Sequence, residues 1–281
     1  MRIITCSRIL ANSATSFLGT WFSVSFLTSV LLAVFSSPLF AGKEDKIIAQ
    51  RVSKPPTLDG TISPAEWAGA ISIDVDPKSG VWDFGKTEVK YTFYVMYDET
   101  YLYVAASLTD DDIQIDTAPK GSQNGETWKD DSIEIFVDGD HSHSVPAFTA
   151  VEYATGGQYV ITANNAVRFQ NSGAKSFGPG KDDDYYAVAA IHGDNNWEME
   201  ARLRLGMFGS PKEGDTVGFN ISTNDDDGGG DEEAALFWTG ELGVDIYNNE
   251  SVWGDLTFGP PYSVNSLGKL IITWSRIKSD F

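Results

Sequence analysis

Polar and apolar residues alternate with a period of two along most of the chain after residue 47. Val89–Tyr97 and Tyr101–Leu108 both follow this pattern, and the three residues between them favour a turn. A period of two sends successive side chains to opposite faces of a strand, so the pair predicts a β-hairpin. The pattern recurs in Ser132–Asp138, Phe148–Tyr153, Gln158–Thr162, Tyr185–Ile191, Trp197–Leu203, Thr216–Thr223, Ala234–Trp238 and Gly254–Phe258.

The spacing of these segments, with Gly, Asn and Asp between them, predicts an all-β fold. We expect an antiparallel β-sandwich, jelly-roll-like with immunoglobulin-like layering, that forms one domain over residues 42–260. Along Ser132–Asp138 the aliphatic residues then face the core, and Glu134 and Phe136 face the other side.

One or two short helices are expected beside the strands. Ser63 followed by Pro64 and Glu66 has the composition of a helix cap, which predicts about two helical turns over Ser63–Ala70. A second helical turn is predicted at Leu205–Phe208.

The two ends of the chain differ from the middle. Residues 1–41 carry Arg2 and Arg8, then an apolar run, then the small residue Ala41 before a charged stretch, which predicts a secretory signal cleaved near Ala41. The apolar run is long, so an uncleaved membrane anchor is the alternative. Residues 261–281 form a tail that fits an extra strand, a packed helix or a sorting tag.

Charge and cysteine content narrow the function. The 281 residues include 40 acids and 20 bases, a net charge of −20, which disfavours nucleic acids and anionic membranes as partners. The single cysteine, Cys6, leaves with the predicted signal. The exported chain then has no thiol for disulfides, catalysis or metal binding.

Trp128 and Glu134 offer complementary chemistry at the mouth of a predicted strand. An indole can stack on the C–H face of a sugar ring, and a carboxylate can accept hydrogen bonds from its hydroxyls. The alternative is that Trp128 caps the core and Glu134 faces solvent.

Five segments resemble carbohydrate-binding module family 9, and more distantly the DOMON-like sandwiches. They occur in the family's order and spread the likeness over residues 47–260. They are PTLDGTISPAEWAGA (Pro56–Ala70), Val89–Ile113, WKDDSIEIFVD (Trp128–Asp138), GFNISTNDDDGG (Gly218–Gly229) and WGDLTF (Trp253–Phe258).

The resemblance implies a β-sandwich that binds sugars, typically at chain ends, between two aromatic rings. Trp128 stands where the family has a stacking tryptophan, and Glu134 where it has a hydrogen-bonding carboxylate. The second ring is expected from the loop before Trp253, where Tyr247 is the aromatic residue and Asn248 an adjacent amide. The family also has a basic residue and amides on the following strand, but residues 148–159 contain no arginine.

Structural calcium is a further implication of the resemblance. Acid-rich turns supply the oxygens that calcium needs, and the candidate ligands are Asp138, Asp140, Asp225 and Asp227. Simple solvation of these turns is the alternative. For the run Asp110–Asp112 we expect solvation.

We therefore expect a secreted or cell-envelope monomer that binds an oligo- or polysaccharide without transforming it and serves polysaccharide catabolism. One alternative is a glycoside hydrolase pairing Glu134 with Glu152 or Glu200, since hydrolysis needs two carboxylates. Others are an envelope scaffold, a haem-binding DOMON-like domain, and a copper or zinc site at His141 and His143.

Overall fold

The structure, a computed structural model, describes residues 45–149, 152, 155–170 and 175–263. The predicted signal and nearly all of the predicted tail lie outside these residues. Thirteen strands occur in the described part of the chain. They are β1 (Lys46–Arg51), β2 (Ile71–Val75), β3 (Val81–Trp82), β4 (Lys90–Tyr97), β5 (Tyr101–Thr109), β6 (Ser132–Asp138), β7 (Gly157–Thr162), β8 (Val167–Gln170), β9 (Tyr185–Ile191), β10 (Asn196–Arg204), β11 (Thr216–Asp225), β12 (Ala234–Phe237) and β13 (Gly254–Pro261).

The strands form one hydrogen-bonded sheet that folds over on itself, so the sandwich has a barrel-like character. Its order is β8-β7-β6-β11-β13-β1-β4-β5-β10-β9, with β12 beside β11, β3 beside β12, and β2 beside β4. In β1, Lys46–Ala49 and Arg51 pair with β13, and Gln50 and Arg51 pair with β4. The all-β sandwich is confirmed. The sheet is mixed rather than wholly antiparallel, because β1 runs parallel to both neighbours.

Aromatic residues join the two layers of the sandwich. The ring of Phe93 on β4 lies 5.4 Å from the ring of Trp238 and 6.3 Å from that of Phe219. The hydroxyl of Tyr91 donates to the carbonyl oxygens of Ile221 and Leu236, at 3.1 and 3.2 Å. The core therefore lies between β4 and its neighbours on one side and β11 and its neighbours on the other.

The period of two along β6 places its side chains alternately on the core side and on the outer side of the sheet. Ile133, Ile135 and Val137 belong to the central core. Phe136 faces the outer side, where it packs with residues of β12 and with Trp253 in a second apolar cluster. Glu134 shares this outer face, as the alternation predicts.

The two-turn helix predicted at Ser63–Ala70 is wrong. The carbonyl of Ser63 accepts from the backbone N–H groups of Glu66 and Trp67, and that of Trp67 accepts from Ala70, so the segment forms two separate turns and not a continuous helix. The buried Trp67 donates its Nε1–H to Glu200 on β10 at 2.8 Å. The other oxygen of Glu200 accepts from the backbone N–H groups of Asp59 and Gly60. This side-chain clamp holds the segment on the sheet in place of a longer helix.

The other short elements are 3-10 turns. The turn predicted at Leu205–Phe208 is present, and two more lie at Thr127–Lys129 and Glu250–Val252. Of the predicted strand Phe148–Tyr153, only residues 148, 149 and 152 are described, and none is in a strand. Phe148 instead packs against Phe136 and Tyr247 on the outer face. None of the helices within the described residues has the length and apolarity needed to span a bilayer.

Candidate functional site

A cleft of about 390 Å³ lies on the outer face of the layer that contains β6. Strands β6, β7, β8, β11 and β12 supply its floor, and loops supply its walls. The lining residues are Asp83, Phe84, Trp128, Glu134, Gln158, Arg168, Gln170, Asn224, Glu232, Ala235, Phe237, Asp245 and Tyr247.

The floor is a hydrogen-bonded row of side chains that crosses four neighbouring strands. Glu134 on β6 accepts from Gln158 Nε2 on β7 at 2.9 Å and from Asn224 Nδ2 on β11 at 3.0 Å. Gln170 on β8 donates to Gln158 Oε1 at 3.1 Å. Each side chain has its position fixed by a neighbour, so the row presents a preorganised polar surface to the cleft.

Glu134 has an unusual ionisation for a carboxylate. It is only 3% exposed. Burial raises its pKa to about 7, and the bonds from Gln158 and Asn224 act in the opposite direction. The group is therefore partly protonated near neutral pH and can act either as acceptor or as donor.

Trp128 forms one wall of the cleft, from the 3-10 turn at Thr127–Lys129. The turn is anchored on both sides: Thr127 is fully buried, and Asp130 accepts from the backbone N–H groups of Thr117 and Ala118 at 2.8 and 2.7 Å. The indole itself is half-buried. The guanidinium of Arg168 lies 4.5 Å from the ring centroid, which is a cation–π contact.

Tyr247 forms part of another wall, in the loop between β12 and β13. Its ring lies 4.5 Å from the ring of Phe148 and 6.1 Å from that of Phe136. The ring is half-buried and also reaches the cleft. Trp253 donates its Nε1–H to the Ile246 carbonyl at 2.8 Å, which holds the loop against the outer face.

The structure brings together three of the four predicted sugar-binding residues. Trp128, Glu134 and Tyr247 all line the cleft. Asn248 does not: its backbone N–H donates to Asp245 and its carbonyl accepts from Ala147. Arg168 supplies the basic residue that residues 148–159 do not contain.

Sequence reasoning missed Gln158, Arg168, Gln170 and Asn224 as site residues. Gln158 lies on a predicted strand, and Arg168 and Gln170 lie on β8, whose four residues are too few to show a convincing alternation. Asn224 lies two residues beyond Ser222, on the outer face of β11, so continued alternation past Thr223 could have found it.

The predicted calcium ligand Asp225 belongs to a buried cluster of carboxylates. Asp110, Asp131 and Asp225 place one oxygen each within 4.8 Å of one another. Asp227 lies in an adjoining cluster with Glu88, Asp110 and Asp111. Asp225 and Asp227 therefore belong to two different clusters, which have Asp110 in common. The expectation that Asp110 is solvated is wrong, since it is 3% exposed.

This cluster has the features of a cation site. Both oxygens of Asp225 are buried and have no hydrogen-bond partner among the described residues. Burial raises the pKa of Asp131 to about 9 and that of Asp225 to about 7; neighbouring acids add to both, and the nearby side chain of Thr87 acts against the rise at Asp225. Buried carboxylates without donors are costly, and oxygen-only ligands suit calcium, so the residues fit this ion.

Of the other two predicted calcium ligands, Asp138 and Asp140, only Asp138 lies in a cluster of carboxylates. Asp138 is buried and forms a cluster with Glu152 and Glu250, whereas Asp140 is exposed beside it. Asp138 also accepts from the backbone N–H groups of Ser142 and His143, at 3.1 and 3.0 Å. Burial, followed by the charge of Asp138, raises the pKa of Glu250 to about 8.

The carboxylate pairs considered for hydrolysis are not assembled at the cleft. Glu200 is buried on β10 and bound by Trp67, Asp59 and Gly60. Glu152 lies with Asp138 and Glu250. Neither lines the cleft with Glu134. A haem-binding domain would need an axial methionine, and Met96 and Met199 are fully buried in separate apolar clusters.

Comparison with curated proteins gives modular enzymes. Endo-1,4-beta-xylanase A of Thermoanaerobacterium saccharolyticum is 24% identical over 236 residues, which cover 83% of this chain and 18% of the xylanase. Exoglucanase XynX of Acetivibrio thermocellus is 26% identical over 239 residues, which cover 83% of this chain and 19% of that protein. The chain thus spans about a fifth of the length of these relatives.

Comparison with solved structures supports the fold. A carbohydrate-binding module of family 9 from Caldicellulosiruptor kristjanssonii, in complex with cellotriose, superposes with a TM-score of 0.59 at 20% identity. The match covers 80% of this chain and 98% of the module.

The family is shown by the sequence itself. A family model described as "Carbohydrate family 9 binding domain-like" matches residues 58–259. This range contains every strand from β2 to β12 and most of β13. The resemblance seen in the sequence motifs is thereby confirmed. The chain belongs to the carbohydrate family 9 binding domain-like family.

Proposed function

We propose that this protein binds carbohydrate in the cleft above β6 and does not transform it. The observation that carries the proposal is the convergence of Trp128, Glu134 and Tyr247, from three separate elements, on one cleft. The family to which the chain belongs supports the same conclusion.

A sugar ring would stack on the face of Trp128 that Arg168 does not cover. Its hydroxyls would meet the row formed by Gln158, Glu134 and Asn224. These groups and the hydroxyls must lose water before they pair, so the net gain of each hydrogen bond is modest. We expect dissociation constants in the micromolar to millimolar range, roughly 4 to 8 kcal/mol of binding free energy.

The ligand class is an oligo- or polysaccharide, and cello-oligosaccharides are the first to test. A module with the same fold is in complex with cellotriose, and the matched relatives are a xylanase and an exoglucanase. A role in polysaccharide catabolism follows as part of the proposal.

The test is calorimetric titration of glucose, cellotriose and xylo-oligosaccharides into the wild type and Trp128→Ala. The substitution removes the stacking surface and should weaken binding at least about tenfold, which corresponds to 1.4 kcal/mol. Tyr186→Ala is a matched control, because this half-buried ring also lies under a guanidinium, that of Arg202, but outside the cleft.

Equal affinities of the wild type and Trp128→Ala would contradict the site. Turnover of a glycan that Glu134→Gln abolishes would replace binding with hydrolysis.

We also propose that calcium stabilises the domain at Asp110, Asp131 and Asp225. The orphaned oxygens of Asp225 support this proposal. Asp131 follows Trp128 by three residues and its side chain accepts from the backbone N–H groups of Gln114 and Asp226. A cation at the cluster would therefore hold the Trp128 loop to the end of β11.

We further propose an exported monomer, with its signal removed near Ala41. The charge and apolar pattern of residues 1–41 supports export. Sequencing the N-terminus of the protein recovered from the producing cell would test the cleavage, and light scattering would test the monomer.

A further inference from the structure

Two of the three histidines in the chain meet on the side of the sandwich where β1 and β13 pair. His141 and His143 lie in the loop that follows β6, and Asp255 lies on β13. One potential ligand atom from each lies within 4.8 Å of the other two. His141 Nε2 is already 2.9 Å from Asp255 Oδ1, and the two imidazole centroids are 4.3 Å apart.

We propose that His141, His143 and Asp255 bind a divalent transition-metal ion of the zinc and copper class. Imidazole nitrogen with one carboxylate oxygen is a ligand set for these ions and not for calcium, which takes oxygen. The three side chains supply three ligands, and water completes the coordination shell on the solvent side.

The loop has a backbone conformation that brings both imidazoles to the same place. His141 and His143 have φ of 54° and 56°, in the left-handed region that residues other than glycine rarely adopt. The conformation is held by carboxylates beneath the loop: Asp138 accepts from the N–H groups of residues 142 and 143, and Glu250 accepts from that of Ser144.

Neighbouring groups leave the ligand atoms available to an ion. Lys46 Nζ binds Asp255 Oδ2 at 2.9 Å, so Oδ1 is the oxygen directed at His141. His143 Nδ1 lies 3.5 Å from the carbonyl oxygen of Glu250. The tautomer that donates Nδ1–H to this carbonyl leaves Nε2 to bind the ion, as in many protein metal sites.

Ligand atoms around a tetrahedral zinc ion lie about 3.3 Å apart, given bonds of about 2.0 Å. The pair His141–Asp255 is 2.9 Å apart, so a separation by about 0.4 Å would give this spacing. His143 is exposed, so rotation of its side chain can close the remaining distance without moving the core.

The test is titration of zinc into protein prepared without a histidine tag, in excess calcium so that the oxygen clusters are occupied. The variants are His141→Asn and His143→Asn, because asparagine tolerates the left-handed backbone and cannot supply an imidazole. His192→Asn is the matched control: this histidine faces the Gly60 carbonyl and Glu198 on β10, remote from the loop.

We expect one zinc ion per wild-type chain, at least tenfold weaker binding in each loop variant, and unchanged affinity within twofold in His192→Asn. Cobalt should give the intense visible bands of a four-coordinate site in the wild type and in His192→Asn, and not in the two loop variants. The proposal is overturned if the wild type binds no zinc in excess calcium, or if folded His141→Asn and His143→Asn bind it as tightly as the wild type.

Discussion

At the scale of single residues, Glu134 combines burial with a role at a surface cleft. It lies at the bottom of the cleft, 3% exposed, and two amide groups approach it from the neighbouring strands. An isolated buried carboxylate tends to lose its charge, and amide donors favour keeping it. The balance sets the pKa at about 7, against an ordinary value of 4.5.

This balance predicts a pH-dependent stability that Glu134→Gln removes. The folded state holds the proton more tightly than the unfolded state does, so the stabilisation is full below the ordinary pKa of 4.5 and is lost as pH rises through about 7. The loss amounts to up to about 3 kcal/mol, since one pKa unit corresponds to about 1.4 kcal/mol.

Urea unfolding of the wild type and Glu134→Gln at several pH values from 4 to 8 measures the effect. The free energy of unfolding of the wild type should fall relative to that of the variant as pH rises. Glu241→Gln removes a charge from an exposed glutamate and should track the wild type. Parallel curves for the wild type and Glu134→Gln would contradict the prediction.

At the scale of elements, the motif with Asp59, Gly60 and Trp67 is a structural device and not part of the binding cleft. Its three N–H groups converge on Glu200, on the outer face of the layer opposite β6. Trp67 packs there with Met96, Tyr101 and Tyr103 on β4 and β5. The motif therefore fixes the long segment between β1 and β2 to the sheet.

We predict that Trp67→Phe destabilises the domain without affecting sugar binding. The substitution keeps most of the ring and leaves one oxygen of the buried Glu200 without its donor, a cost of about 1–3 kcal/mol. Denaturant unfolding should show this loss, and calorimetry should show wild-type affinity. Trp128→Phe should do the reverse, keeping stability and weakening binding.

Alternation predicted the longer strands well because both faces of each strand are constrained. Strands β6 and β9 have the predicted bounds, and β4, β5, β7 and β10 differ by a residue at one or both ends. Four strands, β1, β2, β3 and β8, were not among the predicted segments. For β3 and β8 the reason is their length, since two or four residues cannot establish a period. The segment at Ser63 has a helix cap in its sequence, but the indole of its Trp67 is bound by the distant Glu200, a contact that local sequence does not reveal.

The cleft was predictable only in part. Trp128 and Glu134 are close in sequence, and the family pattern marks both. Arg168 comes from a strand two positions across the sheet from β6. The acidic cluster gathers Asp110, Asp131 and Asp225 from three distant segments. Contacts between residues so far apart in the sequence depend on the order of the strands in the sheet. The local period of polar and apolar residues does not reveal this order.

At the scale of the whole molecule, the chain has a net charge of −20, and some of its acidic side chains are buried. Several acids lie in clusters with other acids, whose charges raise their pKa values. Folding must therefore bring like charges together, which costs free energy unless protons or cations neutralise them.

Removal of calcium should accordingly lower the melting temperature. A cation present at about 100 times its dissociation constant contributes about 2.7 kcal/mol. For a domain of this size that is a shift of about 5–10 °C. Differential scanning calorimetry with calcium and with a chelator measures it, and cellotriose affinity should fall in parallel because Asp131 secures the Trp128 loop.

Asp225→Asn should abolish the calcium-dependent shift, because it removes the orphaned carboxylate. The exposed Asp182→Asn is the control and should keep the shift. Identical melting of the wild type with calcium and with chelator would show that the cluster is neutralised by protons alone.

The parallel pairing of β1 with β13 also determines how the domain responds to tension. Lys46 lies opposite Asp255, and Arg51 lies opposite Pro261, so the chain enters at one end of this ladder and leaves at the other. A pull between Lys46 and Pro261 would slide the two strands past each other. All the hydrogen bonds between the two strands would bear the force at the same time, instead of breaking one after another.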